Sequence, residues 1–211
     1  PVGELLSLSA RSFYLYEPTN YHAGDRAITD YFMVPKSRRF SGNDAKSLYD
    51  RVFNLDLHLK DGVWEHEAGV KRTTKRFLGG RTKNSYRVCR YNKLLKRIVW
   101  KDPFMMFSLR YMLDHYDIPI VVTQRRVEGI AASFKRFGWG FDIRRLLLDL
   151  PYLHLLPDEV LRLNYKDPVI NAAALYSLAK LEIQQLGASE RVLIIDLDEL
   201  IDRPQQTVSA L

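Results

Sequence analysis

Arg125 and Ser133, eight positions apart, are the residues whose types and spacing point most directly to chemistry. Arg125 follows the β-branched run Ile118-Pro119-Ile120-Val121-Val122-Thr123, which reads as a short buried strand. A helical pattern starts near Glu128, with Ile130, Phe134 and Phe137 at spacings of four and three. The strand thus delivers an arginine to its carboxyl end, and the next helix presents Ser133 about two turns in. In open α/β sheets ligands sit at those ends, beside helix N-termini whose free N–H groups attract anions. A guanidinium is a planar fork matched to phosphate oxygens, and a serine hydroxyl adds a donor. The pair reads as a phosphate clamp. A solvated strand-end charge followed by an ordinary helix serine is the plainer alternative.

Three more residues stand where strands give way to turns. Ser12-Phe13-Tyr14-Leu15-Tyr16 looks like a strand that stops at Glu17-Pro18. Arg97-Ile98-Val99-Trp100 is another, ending in Lys101-Asp102-Pro103. An ammonium at a strand end, as on Lys101, suits neutralising the charge of a transition state. Asp102 before a proline fits a helix N-cap. Taken alone, Glu17 reads as a strand-end cap or an ion-pair partner. The five histidines, His22, His58, His66, His115 and His154, form no H-x-x-x-H or H-E-x-x-H pair and indicate no metal site. The lone Cys89 excludes an internal disulfide and a cysteine-rich zinc site, so a reducing, cytoplasmic setting is expected.

The elements that must position these residues follow from periodicity. Helices are expected over Asp44 to Leu59, around Phe107 to Leu113, over Ile143 to Leu150, over Asp158 to Leu163 and over Ala172 to Leu186, and a last strand over Arg191 to Asp196. Residues 60–93 show no strong pattern and read as an irregular, mobile basic insertion. Its Lys71, Arg72, Lys75, Arg76, Arg81 and Lys83 are candidate contacts for an anionic acceptor, or a solvated basic loop. Strands alternating with helices imply a largely parallel sheet with right-handed crossovers. At 211 residues, one domain with a substantial core is the simplest organisation. The net charge of +7 favours anionic partners: a nucleotide, an acidic glycan, nucleic acid or a membrane surface. No apolar run approaches the ~20 residues of a bilayer span, which leaves peripheral membrane contact open.

In this order the landmarks resemble those of the sulfotransferases that use 3′-phosphoadenosine 5′-phosphosulfate (PAPS), in particular the carbohydrate-acting and bacterial branch. Tyr16-Glu17-Pro18 resembles that family's Phe/Tyr-Glu-Pro segment, and Lys101-Asp102-Pro103 its Lys-x-Pro segment. Arg125 to Ser133 resembles its 3′-phosphate element, although Arg126-Val127 stands where the family has Asp-Pro. Ile195-Asp196-Leu197-Asp198-Glu199-Leu200 with Arg203-Pro204 resembles the segment after its last strand. The resemblance implies an α/β, P-loop-type sulfotransferase fold, with a central, largely parallel sheet flanked by helices. It also implies that Arg125 and Ser133 hold the donor's 3′-phosphate and that Tyr176 lies on the adenine side, though core packing is the plainer role for Tyr176. Glu17 takes the role of general base, with His22 a candidate to orient it and Asp102 an alternative base. The 5′-phosphosulfate loop would precede Pro1 and the family's C-terminal helix would follow Leu211, so an incomplete domain is expected.

Sulfuryl transfer to a hydroxyl or amine resembles phosphoryl transfer: positioning and stabilisation of spreading charge do most of the work. The expected activity is therefore transfer from PAPS, as co-substrate and without a metal, to a glycan, lipid or small metabolite. The alternatives are a non-catalytic basic module holding an anionic polymer, and a P-loop kinase. A kinase would need a Walker lysine and a magnesium-binding acid, and neither is assignable. Nucleic acid is not an expected partner, because the cations look dispersed and no RNP or helix-turn-helix pattern appears.

Overall fold

The computed structural model describes residues 2–7, 11–62, 69–70, 73, 80–186 and 189–203. The chain divides into two compact units. One holds Pro1–Lys36 and Phe40–Met105, the other Ser37–Arg39 and Met106–Leu211.

In the first unit, helix α1 (Val2–Leu6) precedes strand β1 (Ser12–Tyr16). β1 pairs in parallel with β2 (Arg97–Lys101), in a register that sets Ser12 beside Arg97 and Tyr16 beside Lys101. Between them lie helices α2 (Gly42–Phe53) and α3 (Arg81–Tyr91). α2 starts at a capping box, in which Ser41 accepts from the Asp44 amide and Asp44 accepts in return from the Ser41 amide. It buries Ala45, Leu48, Tyr49 and Val52, one helical face. It stops well short of Leu59, because Asn54 caps it and Leu55 turns into the left-handed region with φ of 51°. Leu57 is buried and Leu55 and Leu59 pack partly against the same cluster, which Leu15, Val52, Tyr86 and Cys89 complete. The regular apolar spacing therefore continued past the helix into an irregular segment that shares its core.

α3 corrects the irregular reading of residues 60–93. Thr82, Tyr86 and Cys89, at spacings of four and three, form its buried side. Only three positions face inward, and charges dominate the rest, so the period was masked. Lys71, Arg72, Lys75, Arg76 and His66 fall outside the described residues.

In the second unit, α4 (Leu109–His115) leads to β3 (Ile120–Gln124). The segment between the units, Pro103–Ser108, is a 3-10 helix. β3 begins two residues later than expected, since Pro119 has no N–H to give a ladder. Only Val122 is buried in β3, and Thr123 and Gln124 are exposed, so the strand is half-buried rather than buried. β3 pairs in parallel with β4 (Val192–Asp196), setting Ile120 beside Val192 and Gln124 beside Asp196. Helices α5 (Val127–Phe137), α6 (Ile143–Asp149), α7 (Asp158–Arg162) and α8 (Pro168–Gln185) make the crossover, and α9 (Leu197–Asp202) follows β4. α8 starts four residues earlier than Ala172, because Asp167 accepts from the amides of Val169 and Ile170 and Pro168 occupies the first turn. α5 packs along α8, and buried Asn171 ties down the backbone of Phe141 and Tyr165.

The architecture is mixed α/β, with small parallel sheets flanked by helices. The parallel pairing expected from the sequence is present, but as two two-stranded ladders, one in each unit, rather than one central sheet among the described residues. No helix among those residues is long and apolar enough to cross a membrane.

Candidate functional site

The candidate residues fall into two clusters, one in each unit. In the second unit, Arg125 leaves the end of β3 and its guanidinium lies over the first turn of α5. A Cβ placed on Gly129 would stand 2.7 Å from Arg125 Nε and 2.9 Å from Cζ. Only a glycine leaves that space. Ser133 Oγ donates to the Gly129 carbonyl at 3.0 Å, one turn back. Arg125 and Ser133 are thus both anchored on Gly129. To donate to a bound anion, the Ser133 hydroxyl must give up that carbonyl, a rotation about one bond.

An anionic group already stands at this helix start. Asp198, in the first turn of α9, accepts from the Arg126 backbone amide at 3.2 Å and from Arg126 Nε at 3.1 Å. The Arg126 amide hydrogen bond, then its guanidinium and the charge of Arg125, hold the Asp198 carboxyl below the usual carboxylate range. Arg126 is therefore engaged by a side chain of the protein, while Arg125 donates no hydrogen bond to any described residue. Tyr176 lies half-buried on α8.

In the first unit, Glu17 follows β1 directly and its carboxylate is buried. Its backbone is held at φ of 45°, a left-handed conformation that costs a non-glycine residue about 1–3 kcal/mol. The parallel register fixes it there: the Glu17 amide donates to the Lys101 carbonyl at 2.8 Å, and the Asn20 amide closes a turn onto the Glu17 carbonyl. Lys101 Nζ donates to Glu17 Oε1, and Asn20 Nδ2 donates to Oε2 at 3.0 Å. The same ammonium lies 4.8 Å from the centre of the Tyr16 ring, with the Arg81 guanidinium 4.2 Å from that ring. Burial pushes the Tyr16 hydroxyl up to about 12, helped by the charge of Glu17 and a hydrogen bond to it.

Asp102 lies close enough to feel the Glu17 charge. Its Oδ2 accepts from the Thr19 amide at 2.7 Å and from Trp100 Nε1 at 3.4 Å, and its Oδ1 accepts from the Phe104 amide at 3.1 Å. The last contact makes it the cap of the 3-10 helix that follows. Burial raises its carboxyl to about 6 against the pull of the Thr19 and Phe104 amides, and the nearby Glu17 charge adds to the rise. With donors on both oxygens Asp102 acts as a brace.

No protein-family model, curated protein or solved structure matches the chain. Function therefore rests on the geometry of the two clusters.

Of the residues singled out from the sequence, the structure brings together Glu17 and Lys101, and separately Arg125 and Ser133. His22 Nε2 pairs with Tyr31 Oη at 2.7 Å, while Asn20, Lys101 and the Tyr16 hydroxyl bond the Glu17 carboxylate. The His22 backbone amide donates to Asn20 Oδ1, which links it to Glu17 through the Asn20 side chain. Asn20, Gly129 and Asp198 are the site residues that sequence reading missed as such. Gly129 carried a signal, since a glycine inside an amphipathic helix needs a reason. Asn20 carried none. No group of three or more His, Cys, Asp or Glu side chains that could hold a metal occurs among the described residues.

Proposed function

We propose that the chain is a PAPS-dependent sulfotransferase that moves a sulfuryl group onto a hydroxyl of a glycan, lipid or small metabolite. The observation that carries this reading is the anchoring of Arg125 and Ser133 on Gly129, at the start of a helix that follows a parallel strand. A guanidinium laid over a helix's first turn adds a full positive charge to the partial charge of that terminus, an arrangement suited to the donor's 3′-phosphate.

In the reaction, the acceptor oxygen forms a bond to sulfur while the bond from sulfur to the 5′-phosphate oxygen breaks, and that oxygen keeps the electron pair. The acceptor's proton passes to Glu17, whose carboxylate keeps one acceptor site open after bonding Lys101, Asn20 and the Tyr16 hydroxyl. Lys101 holds the carboxylate in place and supplies positive charge beside the reacting group. Burial and backbone strain fix Glu17 in one orientation, as a positioned base requires.

Calorimetry with 3′-phosphoadenosine 5′-phosphate tests the reading. Binding should fall about 10-fold or more in Arg125→Ala and by a smaller factor in Ser133→Ala, the scale of one charge-assisted and one neutral hydrogen bond. Equal affinity for adenosine 5′-phosphate, which lacks the 3′-phosphate, would reject the clamp.

A further inference from the structure

Seven lysines and arginines and no carboxylate lie between Arg81 and Arg97. The rest of the chain has 25 of the 32 basic residues against all 25 acidic ones, so its formal charge is zero. The entire net charge of +7 therefore resides in α3, the turn after it and the first residue of β2. We propose that this surface docks on an anionic lipid bilayer.

Folding leaves Arg81, Arg87, Arg90, Lys93, Lys96 and Arg97 exposed. α3 turns Thr82, Tyr86 and Cys89 inward, which leaves Asn84, Arg87, Val88 and Tyr91 on the outer face. Two carboxylates reach the stretch from elsewhere, Glu4 to Arg81 at 3.0 Å and Asp56 to Arg90 at 3.4 Å. No described carboxylate pairs with Lys93, Lys96 or Arg97. The amides of Lys96 and Arg97 donate to the Arg11 carbonyl, which brings a further exposed arginine to the same edge.

A run of cations by itself is an ordinary solvated surface. Here large apolar side chains stand among them: Tyr91 is 72% exposed and Leu94 75%, with Val88 also exposed. Their exposure is built in. The Leu94 amide donates to Asn92 Oδ1, the Leu95 amide closes back onto the Asn92 carbonyl, and Leu95 packs against the core, so Leu94 is held outward. A nucleic acid or acidic glycan would use the cations and a stacking ring but has nothing to offer Leu94 and Val88. A bilayer interface takes both kinds: aliphatic groups enter the acyl boundary, a tyrosine sits among headgroups, and lysines reach back to phosphates. The inference does not depend on the sulfotransferase reading.

The test is co-sedimentation with vesicles of phosphatidylcholine alone and of equal parts phosphatidylcholine and phosphatidylserine. The chain should partition onto the anionic vesicles only, and less so at high salt. The triple variant Lys93→Gln, Lys96→Gln, Arg97→Gln should lose about 100-fold in partitioning, and Leu94→Ser about 10-fold, with thermal unfolding unchanged in both. Equal binding to neutral vesicles would overturn the proposal, as would a Leu94→Ser variant that partitions like the parent. Heparin or RNA binding that the triple variant loses and Leu94→Ser keeps, without vesicle binding, would assign the surface to a soluble polyanion instead.

Discussion

Replacing Gly129 with alanine separates a binding role for the Arg125 anchorage from a merely structural one, because the two effects have opposite signs. The new methyl would stand 2.7 Å from Arg125 Nε and 2.9 Å from Cζ, closer than atoms pack, and a tight 3.2 Å from Nη2. What must yield is the exposed end of a flexible side chain, so the guanidinium swings off the helix at small cost. The helix itself gains: alanine in place of a helical glycine is worth up to about 1 kcal/mol. That corresponds to a rise in Tm of roughly 2–4 °C for a chain of this size. Ligand binding should move the other way. Losing one charge-assisted contact to phosphate costs about 1.5–3 kcal/mol, or roughly 10- to 100-fold in Kd. Differential scanning fluorimetry and calorimetry with 3′-phosphoadenosine 5′-phosphate would be run on the parent, Gly129→Ala, Arg125→Ala and the double variant. In the Arg125→Ala background the alanine should no longer affect affinity, since the group it displaces is gone. Parental affinity in Gly129→Ala would refute the reasoning, and so would a penalty that persists without Arg125.

Glu17→Gln should keep donor binding and nearly abolish sulfuryl transfer, measured with a surrogate hydroxyl acceptor; an active variant would reject Glu17 as the base. Asp25 is buried and bonded to Arg51 and to the amides of Ala27 and His58; burial alone would raise its carboxyl, but these partners outweigh it and hold it below the usual value. A lowered folded-state value means that the stabilisation is present above the unfolded carboxylate pKa, about 3.9, and is lost as pH falls below it. Asp25→Asn should therefore cost about 3 kcal/mol at neutral pH, and urea unfolding near pH 3 should show the gap to the parent narrowing. Asp198→Asn removes a negative charge beside Arg125 and Arg126 and should tighten 3′-phosphoadenosine 5′-phosphate binding several-fold at low salt; weaker binding would show that Asp198 positions the arginines instead.

What was legible in the sequence was local. β1 was placed to the residue, because Glu17-Pro18 cuts a short aromatic and aliphatic run, and β2 within one residue, because Lys101-Asp102-Pro103 does the same. The strand ends in turn located Glu17, Lys101 and Arg125. Illegible were features that depend on what lies alongside in space. α3 buries three side chains of eleven residues, too few for a visible period, and α2 ends through the left-handed turn at Leu55, a residue whose type gives no hint of it. The division into two ladders depends on which strands meet, and periodicity does not report that.

The same distinction explains why one missed site residue was recoverable and another was not. Asn20 serves Glu17 by folding back over three residues, and any short polar side chain at that point of a turn would look the same in sequence. Gly129 differs because it contradicts its surroundings. In Val127-Glu128-Gly129-Ile130-Ala131-Ala132-Ser133-Phe134 every neighbour favours or tolerates the helix, and the single residue that costs it about 1 kcal/mol sits in the first turn, four residues after an arginine. A local rule broken inside an otherwise consistent segment calls for a compensating gain elsewhere. Here the space left by the missing Cβ is filled by the Arg125 guanidinium, and the carbonyl of the same residue holds the Ser133 hydroxyl. The cost to the helix and the placement of both candidate ligands thus trace to one atom that is absent.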